Sequence, residues 1–257
     1  TTPKTYNGKN YVLEKVQKLG DGTITMDSAK NVVHVYYTVD EKSDPSKDKD
    51  PIQKGDGIPD KYQVTITYVS GGNGKVTAQE GGTLEEVRTL KEITTETDGT
   101  ITVGADVDVY PHAAVNTTPN AGYKPAGWTS NGTSYESIED IKNQKIIADT
   151  TFTANFTENG DVTILYKATE GGIVNPENES LKPATGEAQG STASPKDGYN
   201  FVNWTDEGNK EVSKERAFKP IKGQDEVWID QTTYTANFVK KSDLHYEVHY
   251  FYGEIED

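Results

Sequence analysis

Two stretches of this chain match block for block, and that duplication limits what the chain can fold into. The first runs Gly122-Tyr123-Lys124-Pro125-Ala126-Gly127-Trp128-Thr129 and closes with Thr150-Thr151-Phe152-Thr153-Ala154-Asn155-Phe156. The second runs Gly198-Tyr199-Asn200-Phe201-Val202-Asn203-Trp204-Thr205 and closes with Thr232-Thr233-Tyr234-Thr235-Ala236-Asn237-Phe238. Each is preceded by a strand-like run, Val64-Thr65-Ile66-Thr67-Tyr68 or Val162-Thr163-Ile164-Leu165-Tyr166, and by a small-residue turn, Gly71-Gly72-Asn73-Gly74 or Gly171-Gly172. Three matched blocks in one order define a duplicated domain. The closing runs alternate aromatics and Ala with Thr and Asn, the period of a half-buried strand.

Composition agrees with small β domains. Apolar residues make up only 32%, yet there are 15 Tyr, with 24 Gly and 11 Pro to supply turns, so the expected fold class is mainly β with minor α and thin cores. The net charge of −15, from 41 acidic and 26 basic residues, argues against nucleic acid as a partner, since no phosphate-neutralising stripe is evident. With no run near the ~18 apolar residues of a span, no membrane insertion is expected. The absence of cysteine excludes disulfides, thiolate metal sites and cysteine nucleophiles. The opening Thr1-Thr2-Pro3-Lys4 reads as the start of a processed protein or of an excerpt from a longer one.

Residues 1–41 read as a short piece of three strands, at Tyr11–Val16, Thr23–Met26 and Val33–Val39, the last with Val33, Val35, Tyr37 and Val39 on one face. Residues 42–61 have linker composition. Here Asp48, Asp50, Asp56 and Asp60 are the candidate metal ligands, and calcium the candidate cofactor, because carboxylates around a Gly turn supply oxygens. Two positions of an Asp-x-Asp-x-Asp-Gly loop are instead Ile52 and Lys54, which favours a solvated acidic linker.

The first repeat is expected over 62–158. Within it, Thr83–Ile93 suits a short helix by its Thr83/Glu86 capping-box spacing, while Val87–Thr95 suits a strand equally well. Ile101–Tyr110 alternates as a strand, and Ser137–Ile141 predicts one capped helical turn. The second repeat, over 159–240, is more compact, with Ser213–Phe218 in the place of that turn. Residues 241–257 open a new strand with Tyr246, Val248, Tyr250 and Tyr252 on one face.

Over residues 62–240 the opening strand, Gly-Tyr-x4-Trp element and Thr-x-Thr-Ala-Asn-Phe strand resemble the Listeria–Bacteroides, or internalin B-type, β-repeats of Gram-positive surface proteins. The termini resemble parts of a mucin-binding-protein (MucBP-like) repeat: Tyr246–Gly253 its first strand, Tyr11–Tyr37 its second half. The resemblance implies tandem β-grasp-like domains in an elongated array, and a non-enzymatic adhesin module, extracellular, wall-attached or secreted. Host mucin, glycan or surface protein are the partners it implies. The alternative functions are a carbohydrate-binding accessory module of a secreted enzyme and a strand-exchanging filament subunit.

Among single residues, Trp128 and Trp204 recur at one spacing and read as core anchors. Trp228 occurs only in the second copy and is the candidate exposed ligand contact. His245 and His249 lie about 13 Å apart on a strand at ~3.3 Å per residue, too far for one metal. Asn155 and Asn237 sit in matching strands, but no Lys matches across the copies to make an isopeptide bond. The two ends, each with an apolar strand face, are expected to pair, either by folding back or head to tail through the Tyr246–Tyr252 strand of a neighbouring molecule.

Overall fold

The computed structural model describes residues 4–18, 23–42, 55–97, 99–243, 245–250 and 253. The chain divides into two compact units, Thr1–Thr157 and Glu158–Asp257.

The first unit opens with a three-stranded antiparallel sheet of β1 (Lys4–Tyr6), β2 (Lys9–Lys18) and β3 (Val33–Val39), with β2 in the middle. The expected strand at Thr23–Met26 does not form. Its backbone is tied locally instead: Thr25 N donates to Asn31 Oδ1 at 2.8 Å, and Asp27 caps a single 3-10 turn, Ser28–Lys30. Ile24 and Met26 are left exposed.

The first repeat follows as β4 (Gln63–Ser70), β5 (Gly74–Ala78), β6 (Glu85–Thr89), β7 (Lys91–Thr95), β8 (Ile101–Asp106), β9 (Val115–Pro119), β10 (Tyr123–Ser130), β11 (Thr133–Tyr135), α1 (Ile138–Lys142) and β12 (Thr150–Glu158). Its main sheet has the order β11-β10-β12-β4-β6. The first and last strands lie side by side and parallel, Ile66 opposite Thr150 and Tyr68 opposite Phe152. This is the strand order of a β-grasp. Thr83–Ile93 is resolved in favour of strands: the Thr83 hydroxyl bonds the Glu85 carbonyl, and β6 pairs antiparallel with β4. The alternating stretch 101–110 is a strand only to Asp106; it pairs with β7 in a two-stranded hairpin, and of its apolar face only Val109 is buried. The predicted capped turn is present, with Ser137 and Asp140 reciprocally bonded.

The second repeat comprises β13 (Val162–Ala168), β14 (Gly172–Asn175), β15 (Asn178–Leu181), β16 (Ser191–Pro195), β17 (Tyr199–Thr205), β18 (Glu211–Ser213), β19 (Ala217–Phe218) and β20 (Thr232–Lys240). The order β15-β13-β20-β17-β18 repeats the first sheet, with β13 and β20 parallel. The β7–β8 hairpin has no counterpart here, which accounts for the compactness of the second copy. Where α1 stands in the first, β19 pairs with β16. Residues 245–250 form no strand, contrary to the expectation for 246–252; Leu244, Phe251 and Tyr252 lie outside the described residues.

The matched residues build matched cores. Tyr68 meets Trp128 edge-on at 6.3 Å and stacks on Phe152 at 6.0 Å. Tyr166 meets Trp204 edge-on at 5.9 Å and stacks on Tyr234 at 6.2 Å. Such rings contribute both buried area and favourable quadrupole geometry. The glycines six residues after each Tyr have one purpose: a Cβ on Gly74 would fall 2.5 Å from the Phe156 ring, and one on Gly172 2.1 Å from Phe238. The closing-strand Phe therefore lies flat on bare backbone in both copies.

Candidate functional site

Among the described residues, chemistry-bearing side chains gather at the glutamate bonded to the opening-strand Tyr in each repeat (buried in the first, half-buried in the second), at the aspartates before β4, and at a cleft beside Trp228.

In the first repeat Glu86 sits on β6 opposite Ile66, two residues from Tyr68 along β4. Its carboxylate is buried and accepts three hydrogen bonds, from Tyr68 Oη at 2.7 Å, His112 N at 3.0 Å and Ala113 N at 2.9 Å. In the second, Glu179 on β15 lies opposite Ile164 and accepts from Tyr166 Oη, from Gln189 N at 2.7 Å and from Gly190 N at 3.1 Å. Burial, and then the adjacent carboxylate, push both phenols well above the ordinary tyrosine value, so they stay neutral donors. Each glutamate ties the loop before β9 or β16 to the sheet. This is a framework clasp: every partner is a donor of the same repeat. In the sequence Glu86 shows only as the capping-box partner of Thr83, and Glu179 carries no signal.

Asp56 and Asp60 bond backbone and side chains around the entry to the first repeat. Asp48 and Asp50 lie outside the described residues. Asp60 Oδ1 accepts from Glu41 N at 2.8 Å and Lys42 N at 2.9 Å, and Asp56 accepts from Ile58 N at 3.0 Å and Gln63 Nε2 at 2.8 Å. Asp40, 0% exposed, accepts from Asp56 N at 3.1 Å and Gly57 N at 3.0 Å. Gly55, at φ +100°, packs against it so closely that a Cβ would fall 2.6 Å from the Asp40 carbonyl. Among the described residues, no group of three or more His, Asp or Glu side chains is placed to hold a metal.

Burial, together with the charges of Asp56 and Asp60, raises the Asp40 carboxyl from 3.8 to about 6, in spite of the two amide donors. Its folded value thus lies above its unfolded one. The stability it gives is complete below the unfolded value and is lost as pH rises through about 6. Asp40→Asn, which cannot titrate, isolates this effect. The stability of wild type relative to that variant is expected to fall by roughly 3 kcal/mol between pH 3.5 and 7, read from urea melts at each pH.

Trp228 is not exposed. Only 6% of it is accessible, its Nε1 donates to Gly186 O at 2.9 Å and its amide to Pro183 O at 2.9 Å. It stands four residues before the closing strand β20, as Ile146 stands four before β12, and Ile146 is likewise buried with its amide on Val109 O. The residue is unique in type but not in place: both copies bury the side chain four residues before the closing strand. One edge of Trp228 still borders a cleft of ≈ 410 Å³, with Ala188 and Pro220 also lining it, and Lys219, Ile221 and Glu187 at its mouth. Lys219 reaches Glu187 at 3.8 Å, and Lys222 is bound to the Ala184 carbonyl. The cleft offers an apolar floor and a mixed-charge rim, with Glu187 as its carboxylate and Lys219 and Lys222 as its cations.

Trp128 and Trp204 are core residues, as expected. Asn155 bonds Thr129 Oγ1 at 3.2 Å, and Asn237 bonds Thr205 Oγ1 at 3.1 Å, fastening the closing strand to its neighbour in each copy. His245 Nδ1 lies 3.0 Å from the Asp243 carbonyl, and His249 lies 3.5 Å from Glu247. His112 is an exposed ring 3.8 Å from Glu86.

Fold and internal architecture together define a tandem of small β-grasp-like repeats. In sequence, the divergent InlB B-repeat domain family matches residues 89–160 and 162–242, more than half of the chain. The chain belongs to that family. The match to the first repeat begins at the end of β6; the match to the second spans it from β13 through β20. No curated protein matches the chain. Among the described residues no helix is long and apolar enough to cross a membrane.

Proposed function

We propose that this chain is a non-enzymatic segment of a bacterial cell-surface adhesin, extracellular and wall-attached or secreted, in which the repeats act as a stalk and present a contact face to host mucin, glycan or protein. The observation that carries this reading is the tandem itself: two copies of one InlB B-type domain in which the same Tyr–Glu clasp, aromatic trio and Asn–Thr tie are each spent on the framework. Repetition of a unit whose polar interior serves its own sheet builds length and surface rather than a reaction centre.

The cleft beside Trp228 supports a glycan contact as the finer form of this reading. An apolar floor with a cationic and anionic rim suits a sugar ring carrying a carboxylate. Immobilised mucin and a panel of acidic and neutral glycans, probed with the whole chain, test it. Saturable binding that weakens about tenfold or more in a Lys219→Glu/Ile221→Asp variant, both positions being at the rim, supports contact at this cleft. Binding unchanged in that variant removes the cleft from the reading. Turnover in a screen of broad hydrolase substrates overturns the non-enzymatic assignment altogether.

A further inference from the structure

The N-terminal sheet is half of the sheet that each repeat completes. In the second repeat, closing strand β20 has antiparallel β17 on one flank and parallel opening strand β13 on the other. In the N-terminal sheet, β3 has antiparallel β2 on one flank and, among the described residues, is the edge on the other. The likeness extends to a defect. The β17–β20 register slips by one residue between Phe201 and Asn203, and the β2–β3 register slips by one between Leu13 and Lys15. The register sets Tyr37 opposite Leu13, as Phe238 is opposite Phe201, and sets Val35 opposite Val16, as Ala236 is opposite Trp204. Here, however, the apolar side chains of that face stay partly open: Val33, Val35 and Tyr37 are 53%, 46% and 38% exposed, with the Lys4 ammonium 5.2 Å from the Tyr37 ring. A seven-residue edge strand of this kind is a template for another strand.

The chain contains a segment with the pattern of the strand that is lacking. Both opening strands present alternate apolar residues ending in Tyr: Val64, Ile66, Tyr68 and Val162, Ile164, Tyr166. Residues 246–250 present Tyr246, Val248 and Tyr250 in the same alternation, 87%, 51% and 76% exposed and in no strand. We propose that the edge of β3 accepts residues 245–250 of a second copy of this chain as a parallel strand, in the place β13 holds beside β20. Side chains 246, 248 and 250 then cover the face of Val33, Val35 and Tyr37. Each molecule carries one donor segment and one acceptor edge, so the contact joins unlike surfaces and can be repeated from copy to copy. This rests on the geometry of β3 and not on the adhesin reading, which can fail independently.

The test uses the full chain in sedimentation velocity and light scattering over a wide range of concentration. Wild type is expected to grow from single-chain mass through twice that mass and beyond. Val248→Pro removes an amide donor from the segment and leaves β3 intact. Val35→Lys places a charge on the exposed edge and leaves the segment intact. Each variant alone is expected to stay at single-chain mass, and an equal mixture to stop at twice it, since Val248→Pro retains only an acceptor and Val35→Lys only a donor. That rescue by mixing also shows that the acceptor edge of Val248→Pro is intact. Wild type at single-chain mass at every concentration overturns the proposal, as does association that persists in both variants.

Discussion

Replacing Glu86 with alanine is expected to be among the most damaging single changes in the first repeat. It removes the acceptor of Tyr68 Oη and His112 N and leaves Ala113 N only its longer bond to Tyr68 Oη at 3.2 Å. A buried donor without a partner costs about 1–3 kcal/mol, so the loss is expected at roughly 3–5 kcal/mol. Hydrogen exchange read by mass spectrometry separates the two repeats: Glu86→Ala should release protection across β4, β6 and β9 and leave β13–β20 as they were. Glu179→Ala should do the reverse, since its donors are Tyr166 Oη, Gln189 N and Gly190 N. Equal protection in wild type and both variants would show that the clasp is incidental. The raised phenols give the clasp a pH limit as well. Their folded values exceed the unfolded one, so the stability they give is complete below the ordinary tyrosine value and declines as pH rises past it.

Trp204→Ala is expected to cost the second repeat about 3–5 kcal/mol, the range for truncating a large buried aromatic. Trp204 is 0% exposed, with Tyr166, Phe201 and Phe218 around it and its Nε1 on Arg216 O at 3.1 Å. Urea unfolding should move to a lower midpoint for that repeat. Trp204→Phe restores ring packing but leaves the Arg216 carbonyl without its donor, and should fall between wild type and alanine. A midpoint shift below the range for a surface change, about 0.5 kcal/mol, would contradict the core role.

The features legible in the sequence are those that repeat locally. Period-two alternation placed the opening and closing strands, and two copies of Gly-Tyr-x4-Trp marked the core tryptophans. The Ser137/Asp140 spacing gave the capped turn because both partners lie within one turn of chain. The features missed depend on partners distant in sequence. Glu86 looks like a surface glutamate until β6 pairs with β4 and the loop at 112–113 arrives over it. Thr83–Ile93 was ambiguous because helix capping and strand pairing use the same residues, and the neighbouring β4 edge decides between them. Trp228 was judged by its identity, although its position before the closing strand determines its burial. Val33, Val35 and Tyr37 share one strand face, as alternation predicts, and that face stays partly exposed because among the described residues its sheet holds three strands.

The parallel pairing at the centre of each sheet bears on how a repeat carries load. In the second repeat the chain enters on β13 and leaves on β20, and Ile164 through Ala168 run alongside Thr232 through Ala236. In the first, β4 and β12 are likewise adjacent over Ile66–Ser70 and Thr150–Ala154. A pull applied to the two ends of such a repeat slides these strands past each other. Their ladder bonds then share the tension simultaneously, whereas the ladder of a hairpin peels open one bond at a time. Closing-strand Phe156 and Phe238, each seated on a glycine of the adjoining turn, must also ride over that backbone before the strands can slip. A tethered array of such units resists extension through the strands that join it to its neighbours.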